Sequence, residues 1–344
     1  MDKGCCASCF GNLGLKVEIA TASMISGNCG YCSALTVDLV EPSTLGDKFR
    51  ALLDAYEPKE DGRLLVQWLR DDWDLFPDMD DTHAKELLGD ILSDGNVVRQ
   101  NFAPVVFSDT APVSRWEELR EELMHRNRFF PDVQVDLERL RNLLPALMLN
   151  PENIPKTWYR ARIQTEDVIY PIKKMKAPPP NIASHGRANP AGIPYLYVAS
   201  DRRTAISEVR PHTGEKVCVA DFTTPGDLSL IDLRHPRKSV SPFSLANFLP
   251  DEANPGQIRL EIAFLKRLGD ELTQPVLPHV AAFEYTPSQY LCEFIKKCGY
   301  DGVIYRSSIG EGMNLALFKP EKAAPGTVEQ HIVTRVHVEI DEQA

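Results

Sequence analysis

The stretch HGRANPAGIPYLYVASDRRTAISEVR, His185 to Arg210, decides how this chain is read. Gly186, Pro190, Gly192 and Pro194 interrupt regular structure around Arg187, so the stretch begins as a loop. Ile193 to Ala199 is an apolar and aromatic run that reads as a buried strand. Ser200 or Asp201 can cap a helix that continues through Thr204 to Val209. Arg187 offers a planar fork suited to a pyrophosphate. Tyr195 and Tyr197 share one side of the strand, because strand side chains alternate, and either can stack on a flat ring. Glu208 can stabilise a developing positive charge. A nucleotide with a cationic leaving group would use all of these groups.

These residues resemble the core of the RES domain, a family named for its arginine, glutamate and serine. Gly186-Arg187-Ala188-Asn189-Pro190 matches the family's Gly-Arg followed by Asn and Pro, with alanine where an aromatic is common. Leu196-Tyr197-Val198-Ala199 matches its Leu-Tyr-x-Ala, Glu208 its glutamate, and Tyr159-Arg160 an earlier Tyr-Arg. Tyr300 to Ser308 and Asn314 to Phe318 match the serine motif and the strand behind it. The matches cover roughly the C-terminal half. The resemblance implies a fold like the ADP-ribosyltransferase toxins and an activity that destroys NAD, in many members restrained by a partner antitoxin. It points to Arg160, Arg187, Tyr197, Glu208 and Ser307 as the catalytic set, with Ser307 preferred over Ser308. Tyr159, Tyr195 and Asn314 complete the candidate NAD pocket. In the expected chemistry the two arginines hold phosphates or orient the ribose and Tyr197 stacks on nicotinamide. Glu208 stabilises an oxocarbenium-like ribosyl cation. Ser307 bonds the nicotinamide or ribose end. His185 and His212 are loop histidines of the kind that usually do no catalysis.

The whole composition narrows the alternatives. The chain has 344 residues, enough for about two domains, and 43% of them are hydrophobic, which supports ordinary cores. Its formal net charge of -11 argues against a general nucleic-acid or anionic-membrane surface. No apolar run approaches the roughly 20 residues that span a bilayer. No basic flank leads into an apolar core at the start, so a cytoplasmic protein is expected. A P-loop, a strand followed by GxGxxG, and HExxH are all missing, which weighs against an ordinary ATPase, dehydrogenase or zincin.

Cys6-x-x-Cys9 and Cys29-x-x-Cys32 form two knuckles with 19 residues between them. This spacing suits a structural zinc held by four thiolates, with Cys5 an alternative to Cys6. Residues 34 to 149 read as mainly helical, with helices expected over Leu45–Glu57, Gly62–Phe76, Thr82–Asp94 and Val135–Leu149, the last kinked at Pro145. Ser114-x-x-Glu117 reads as a capping box before a further helix. A zinc knuckle with such a bundle is similar to the HEPN-type module that precedes some RES domains.

Strands are expected at Thr157–Ile163, Lys216–Phe222, Leu228–Leu233, Tyr300–Ser308 and Asn314–Pro320, and an outer strand over the tail HIVTRVHVEI. Helices are expected at Leu260–Leu272 and Phe283–Cys298. The proline-rich Ala177–Asn181 should be a loop at the mouth of the site. The expected fold class is α+β: a zinc knuckle over 1–40, a helical HEPN-like domain over 41–150 and an ADP-ribosyltransferase-like mixed α/β domain over 151–344.

The expected function is an NAD glycohydrolase or phosphorylase, a toxin of a toxin-antitoxin or anti-phage system, with an antitoxin or an infection signal as partner. Alternatives are a protein ADP-ribosyltransferase, a degenerate pocket that binds NAD without turnover, and a ribonuclease. The ribonuclease would use Arg120 and His125, spaced like the HEPN arginine and histidine, across a homodimer. A solvated helix face is the plainer reading of that pair.

Overall fold

The computed structural model describes residues 3–23, 25–105, 112–245 and 254–337. The chain forms two compact units. One contains Met1–Leu119, Asp132–Leu147 and His235–Arg267; the other contains Arg120–Pro131, Met148–Arg234 and Leu268–Ala344.

The first unit opens on a small sheet of β1 (Cys5–Cys6), β2 (Ile25–Gly27) and β3 (Val37–Val40), in the order β1-β3-β2. Between β1 and β2 runs α1 (Leu13–Ala22), capped by the Asn12 side chain accepting from Leu15 N–H. Then come α2 (Gly46–Leu53), β4 (Tyr56–Leu64), α3 (Leu65–Trp73), α4 (Asp81–Leu92), β5 (Asn101–Pro104), α5 (Pro112–His125), whose residues from Arg120 onward belong to the second unit, and α6 (Leu137–Leu143). Phe10, Phe49 and Phe76 meet with ring centroids 5.5–6.0 Å apart and anchor the core. The later segment of this unit adds α9 (Pro236–Ser239), α10 (Pro242–Leu245) and most of α11 (Pro255–Thr273). Asp72 on α3 and Glu261 on α11 take Arg259 at 2.6 Å and Arg139 at 2.5 Å respectively.

Several expected elements are corrected here. The helix over Leu45–Glu57 ends at Leu53, and the one from Gly62 begins only at Leu65, because β4 occupies Tyr56–Leu64 and pairs with β5. The segment EPKEDGR offers no apolar helix face, and Pro58 and Gly62 disfavour helix, so pairing with Phe102 and its neighbours wins. Ser114 lies inside α5 rather than at its cap, since the helix already starts at Pro112. The helix from Val135 stops at Leu143 and tightens to a 3₁₀ turn at Leu144–Leu147, as Pro145 removes an N–H donor.

The second unit is built on a seven-stranded sheet. Its strands are β6 (Thr157–Ile163), β7 (Leu196–Ala199), β8 (Lys216–Thr223), β9 (Leu230–Asp232), β10 (Gly302–Arg306), β11 (Met313–Leu317) and β12 (Ala324–Ile332). The order is β12-β8-β6-β7-β11-β10-β9, and every neighbouring pair is antiparallel except β10 with β9. Short helices α7 (Ile172–Met175), α8 (Arg202–Glu208) and α12 (Ala281–Glu284) and the longer α13 (Thr286–Lys297) complete the unit. Alternation along β6 and β8 divides two cores. Trp158, Cys218, Ala220 and Phe222 face one, while Ala161, Val217 and Val219 face the other with Ala205 of α8. The expected tail strand ends at Ile332, and its last residues, 338–340, lie outside the described residues.

One detail of register positions everything that follows. β6 and β8 pair along seven residues, but β6 and β7 pair only at Tyr159 and Ala199. The sheet therefore parts between β6 and β7. The guanidinium of Arg160 bridges the gap, with Nη1 donating to the Tyr197 carbonyl at 3.0 Å.

Candidate functional site

A cavity of about 460 Å³ opens at this split in the sheet. It is lined by Tyr159, Arg160, Arg187, Tyr197, Glu208 and Asn314 of the expected set, and by His185, Arg210, Tyr285, Tyr305 and Ser308. Glu208 is the one carboxylate among its described lining residues. Its Oε1 accepts from Ser307 Oγ at 2.6 Å and from Asn314 Nδ2 at 2.7 Å. Among the described residues none donates to Oε2. Glu208 ends α8, where a carboxylate meets the negative end of the helix dipole, so these two donors offset an unfavourable placement.

Ser307 is itself fixed. It follows β10, and its hydroxyl oxygen accepts from Ile309 N–H at 3.2 Å and Gly310 N–H at 3.0 Å while its proton goes to Glu208. Ser307 thus orients the carboxylate, whereas Ser308 is the serine that lines the cavity. Asn314 comes from β11, one strand beyond β7, so the chain reaches this carboxylate from three separate elements.

Asp201 caps α8 by accepting from Thr204 N–H at 2.8 Å, and Glu208 is the last residue of that helix. The Arg187 loop is held by Asn189, whose Nδ2 faces the carbonyls of Ser184, Pro190 and Ile193 and whose Oδ1 accepts from the Tyr197 hydroxyl at 2.6 Å. The same hydroxyl accepts from Ala188 N–H at 2.9 Å. Gly186 is required beside this pair, because a Cβ there would stand 2.6 Å from Asn189 Oδ1 and 2.7 Å from the Tyr197 hydroxyl. Tyr197→Phe is expected to lower stability by about 1–3 kcal/mol, since it leaves the buried Asn189 oxygen and Ala188 N–H unpaired. A chemical denaturation curve coincident with wild type would refute that assignment.

Electrostatics follow the burial. Burial and the neighbouring Arg162 pull the Arg160 guanidinium down to about 10, and its Nε has no partner among the described residues. Burial holds Tyr197 and Tyr305 well above the usual phenol range, and for Tyr305 the Glu208 charge adds to the effect. Both phenols are held neutral, the Tyr197 proton on Asn189 Oδ1. Arg187 donates from Nη1 to the Gln274 carbonyl at 2.6 Å and lies 5.2 Å from the Tyr285 ring centroid.

Tyr195 is not part of this cavity. It immediately precedes β7, is fully buried and packs against Phe318 at 4.9 Å between centroids. Alternation does send residues 195 and 197 to one side, but the side chains go to different surroundings. Ala177–Asn181 does not line the cavity either. Tyr305 and Tyr285 were not singled out from sequence. Tyr305 sits inside the quoted serine motif and carries that signal; Tyr285 and the neighbouring Val276 and Pro278 carry none.

With this geometry in view, the sequence comparison is specific: the model of the RES domain matches residues 157–339. The chain belongs to the RES domain family. The matched segment contains every member of the site just described. A search of solved structures finds similarity to a chain in the crystal structure of the M. tuberculosis MbcT-MbcA toxin-antitoxin complex. Identity is 13%, the TM-score is 0.33, and the match covers 57% of this chain and 93% of that chain. No curated protein matches the sequence.

Outside the RES domain, the first unit carries a second cluster. The Sγ atoms of Cys6, Cys9, Cys29 and Cys32 all lie within 4.8 Å of one another, with Cys6 and Cys32 at 3.5 Å and Cys9 and Cys29 at 3.4 Å. A zinc ion with bonds of about 2.3 Å to four thiolates places them about 3.8 Å apart, so the cluster fits that ion. Cys5 is buried on β1 opposite Val40 and is outside this group of four. The contact with Cys9 and donation from the backbone N–H groups of Cys32 and Tyr31 lower the Cys29 thiol and favour its thiolate.

The arginine and histidine spaced like a HEPN pair are both engaged elsewhere in the second unit. Arg120 bonds Glu271 at 3.2 Å and Glu284 at 2.8 Å, and the His125 ring lies 5.4 Å from Phe283. Among the described residues no helix is long and apolar enough to cross a membrane.

Proposed function

We propose that the RES domain of this chain consumes NAD by breaking the bond between ribose and nicotinamide. The observation that carries this reading is the Glu208 carboxylate, ordered by Ser307 and Asn314 and facing a cavity lined by Arg160, Arg187, Arg210 and neutral tyrosines. Nicotinamide leaves NAD as a neutral ring while positive charge builds on the ribose. A preorganised carboxylate stabilises that charge without having to reorient, which is where such a site gains most. Arg160 and Arg187 supply the charge that the pyrophosphate requires. Tyr197 lends its ring to the wall, since its hydroxyl is committed to Asn189. Tyr305, neutral and beside Glu208, is placed to donate to a ribose hydroxyl or to the nicotinamide amide. Water captures the ribosyl centre in a glycohydrolase, phosphate in a phosphorylase and a protein side chain in a transferase.

Membership in the RES family supports a cellular role as a toxin that depletes NAD, and an antitoxin as its partner. The cysteine cluster supports a structural zinc in the first unit, closed by four thiolates and taking no part in the reaction.

Incubation of the purified protein with NAD, with and without phosphate, tests the reaction. Nicotinamide with ADP-ribose is the expected result for hydrolysis, and ADP-ribose 1''-phosphate for phosphorolysis. Label retained on protein would move the reading to ADP-ribosyl transfer. NAD left intact by both the full chain and its complex with any copurifying partner would end the reading.

A further inference from the structure

One wall of the cavity is not made by the sheet. Val276, Pro278 and Tyr285 supply it, from the segment between the end of α11 and the start of α13. Arg187 depends on the same segment, bonding the Gln274 carbonyl and lying against the Tyr285 ring. Three exposed residues here, Leu277, Pro278 and His279, have little packing of their own. A segment with so few buried contacts needs its ends secured to hold one position.

Both ends are secured by one side chain. Glu271, three residues before Gln274, and Glu284, next to Tyr285, both bond the guanidinium of Arg120. Nε serves Glu271 at 3.2 Å and Nη2 serves Glu284 at 2.8 Å. The Glu271 carboxylate is only 2% exposed and Arg120 16%, so the first pair is shielded from water. Five residues on, the His125 ring packs on Phe283. An arginine is suited to this task, because its planar fork addresses two carboxylates at once where a lysine offers a point charge.

We infer that Arg120 is a positioning residue for the RES site: it clamps the two stems of residues 272–283 and thereby sets the wall and the Arg187 guanidinium that receive the substrate's phosphates. This inference rests on the NAD reading for the ligand, but the clamp itself is a statement about structure.

The test compares wild type, Arg120→Ala, Arg120→Lys and Glu284→Gln, the last keeping volume and packing. Hydrogen–deuterium exchange is read first. Arg120→Ala should speed exchange in residues 274–285 at least tenfold and leave the sheet strands 157–163 and 302–306 unchanged. Unchanged exchange in 274–285 overturns the clamp, and this readout stands whether or not the protein turns over NAD. With NAD turnover, Arg120→Ala should raise KM about tenfold with kcat within about twofold, and Glu284→Gln should do the same more weakly. Arg120→Lys should recover part of the loss. A purely structural role would lower the active fraction, and hence kcat, at unchanged KM, and would count against the inference. Because the clamp acts through Arg187, Arg120→Ala should add under twofold to KM in an Arg187→Ala background; full additivity would overturn that link. Wild type that turns over no NAD would sink the substrate reading and leave the exchange result to decide the clamp.

Discussion

Glu208→Gln is expected to lower the rate of nicotinamide release about 10²–10³-fold, the usual loss when a preorganised charge-stabilising group is removed. Glutamine keeps the shape, and its amide oxygen can still accept from Ser307 Oγ and Asn314 Nδ2, so the bonds of the end of α8 survive. What disappears is the negative charge on the side facing the cavity. Folding should therefore be close to wild type while turnover collapses. Ser307→Ala separates orientation from charge. It leaves Glu208 ionised but removes one of its two donors, and it orphans the Ile309 and Gly310 N–H groups. A loss of about tenfold is expected there, smaller than for the charge itself. Product release is followed by chromatography under saturating NAD, with thermal unfolding recorded for each variant. A Glu208→Gln protein working within about twofold of wild type would show that the carboxylate is not the stabilising group.

Zinc removal is expected to have the second large effect, on the first unit. Structural zinc sites in small domains bind with roughly 10–16 kcal/mol, comparable with the whole stability of a domain at about 5–15 kcal/mol. The outcome should thus be loss of the unit's cooperative unfolding rather than a shift of its midpoint. Elemental analysis should find one zinc per chain, and Cys29→Ser or treatment with a strong chelator should abolish it. The reason lies in the packing around the cluster. Cys9 is followed directly by Phe10, whose ring meets Phe49 and Phe76, so the knuckle and the aromatic core hold each other. Cys5→Ser provides the control. Cys5 is equally buried but lies outside the group of four sulfurs, so zinc content should be unchanged. Wild-type protein that contains no zinc yet shows the full cooperative transition would refute the site.

How much of this was legible beforehand differs between the two halves. The double Cys-x-x-Cys spacing already carried the four-cysteine cluster, because each knuckle brings its two sulfurs together over a few residues. Only packing distinguished Cys6 from Cys5, since adjacent residues on a strand point to opposite faces. The helices of the first unit were legible from apolar spacing, yet β4 was not, because EPKEDGR has no alternation and is held by its partner β5.

In the RES domain the sequence alone identified the family, the motif strands and most of the groups around the cavity. Short motifs such as Gly186-Arg187 and Leu196-Tyr197-Val198-Ala199 encode local backbone and one side chain each, so they survive reading in isolation. The tertiary structure alone decided what those groups do to one another. Ser307 serves Glu208 rather than the open cavity, Tyr195 turns into the core, and Tyr197 spends its hydroxyl on Asn189. Arg120, more than 60 residues before Arg187 in the sequence, bonds the carboxylates at both stems of the segment on which Arg187 rests. Such pairings are long-range in sequence, and no local pattern records them. They arise only once folding brings segments distant in sequence into contact.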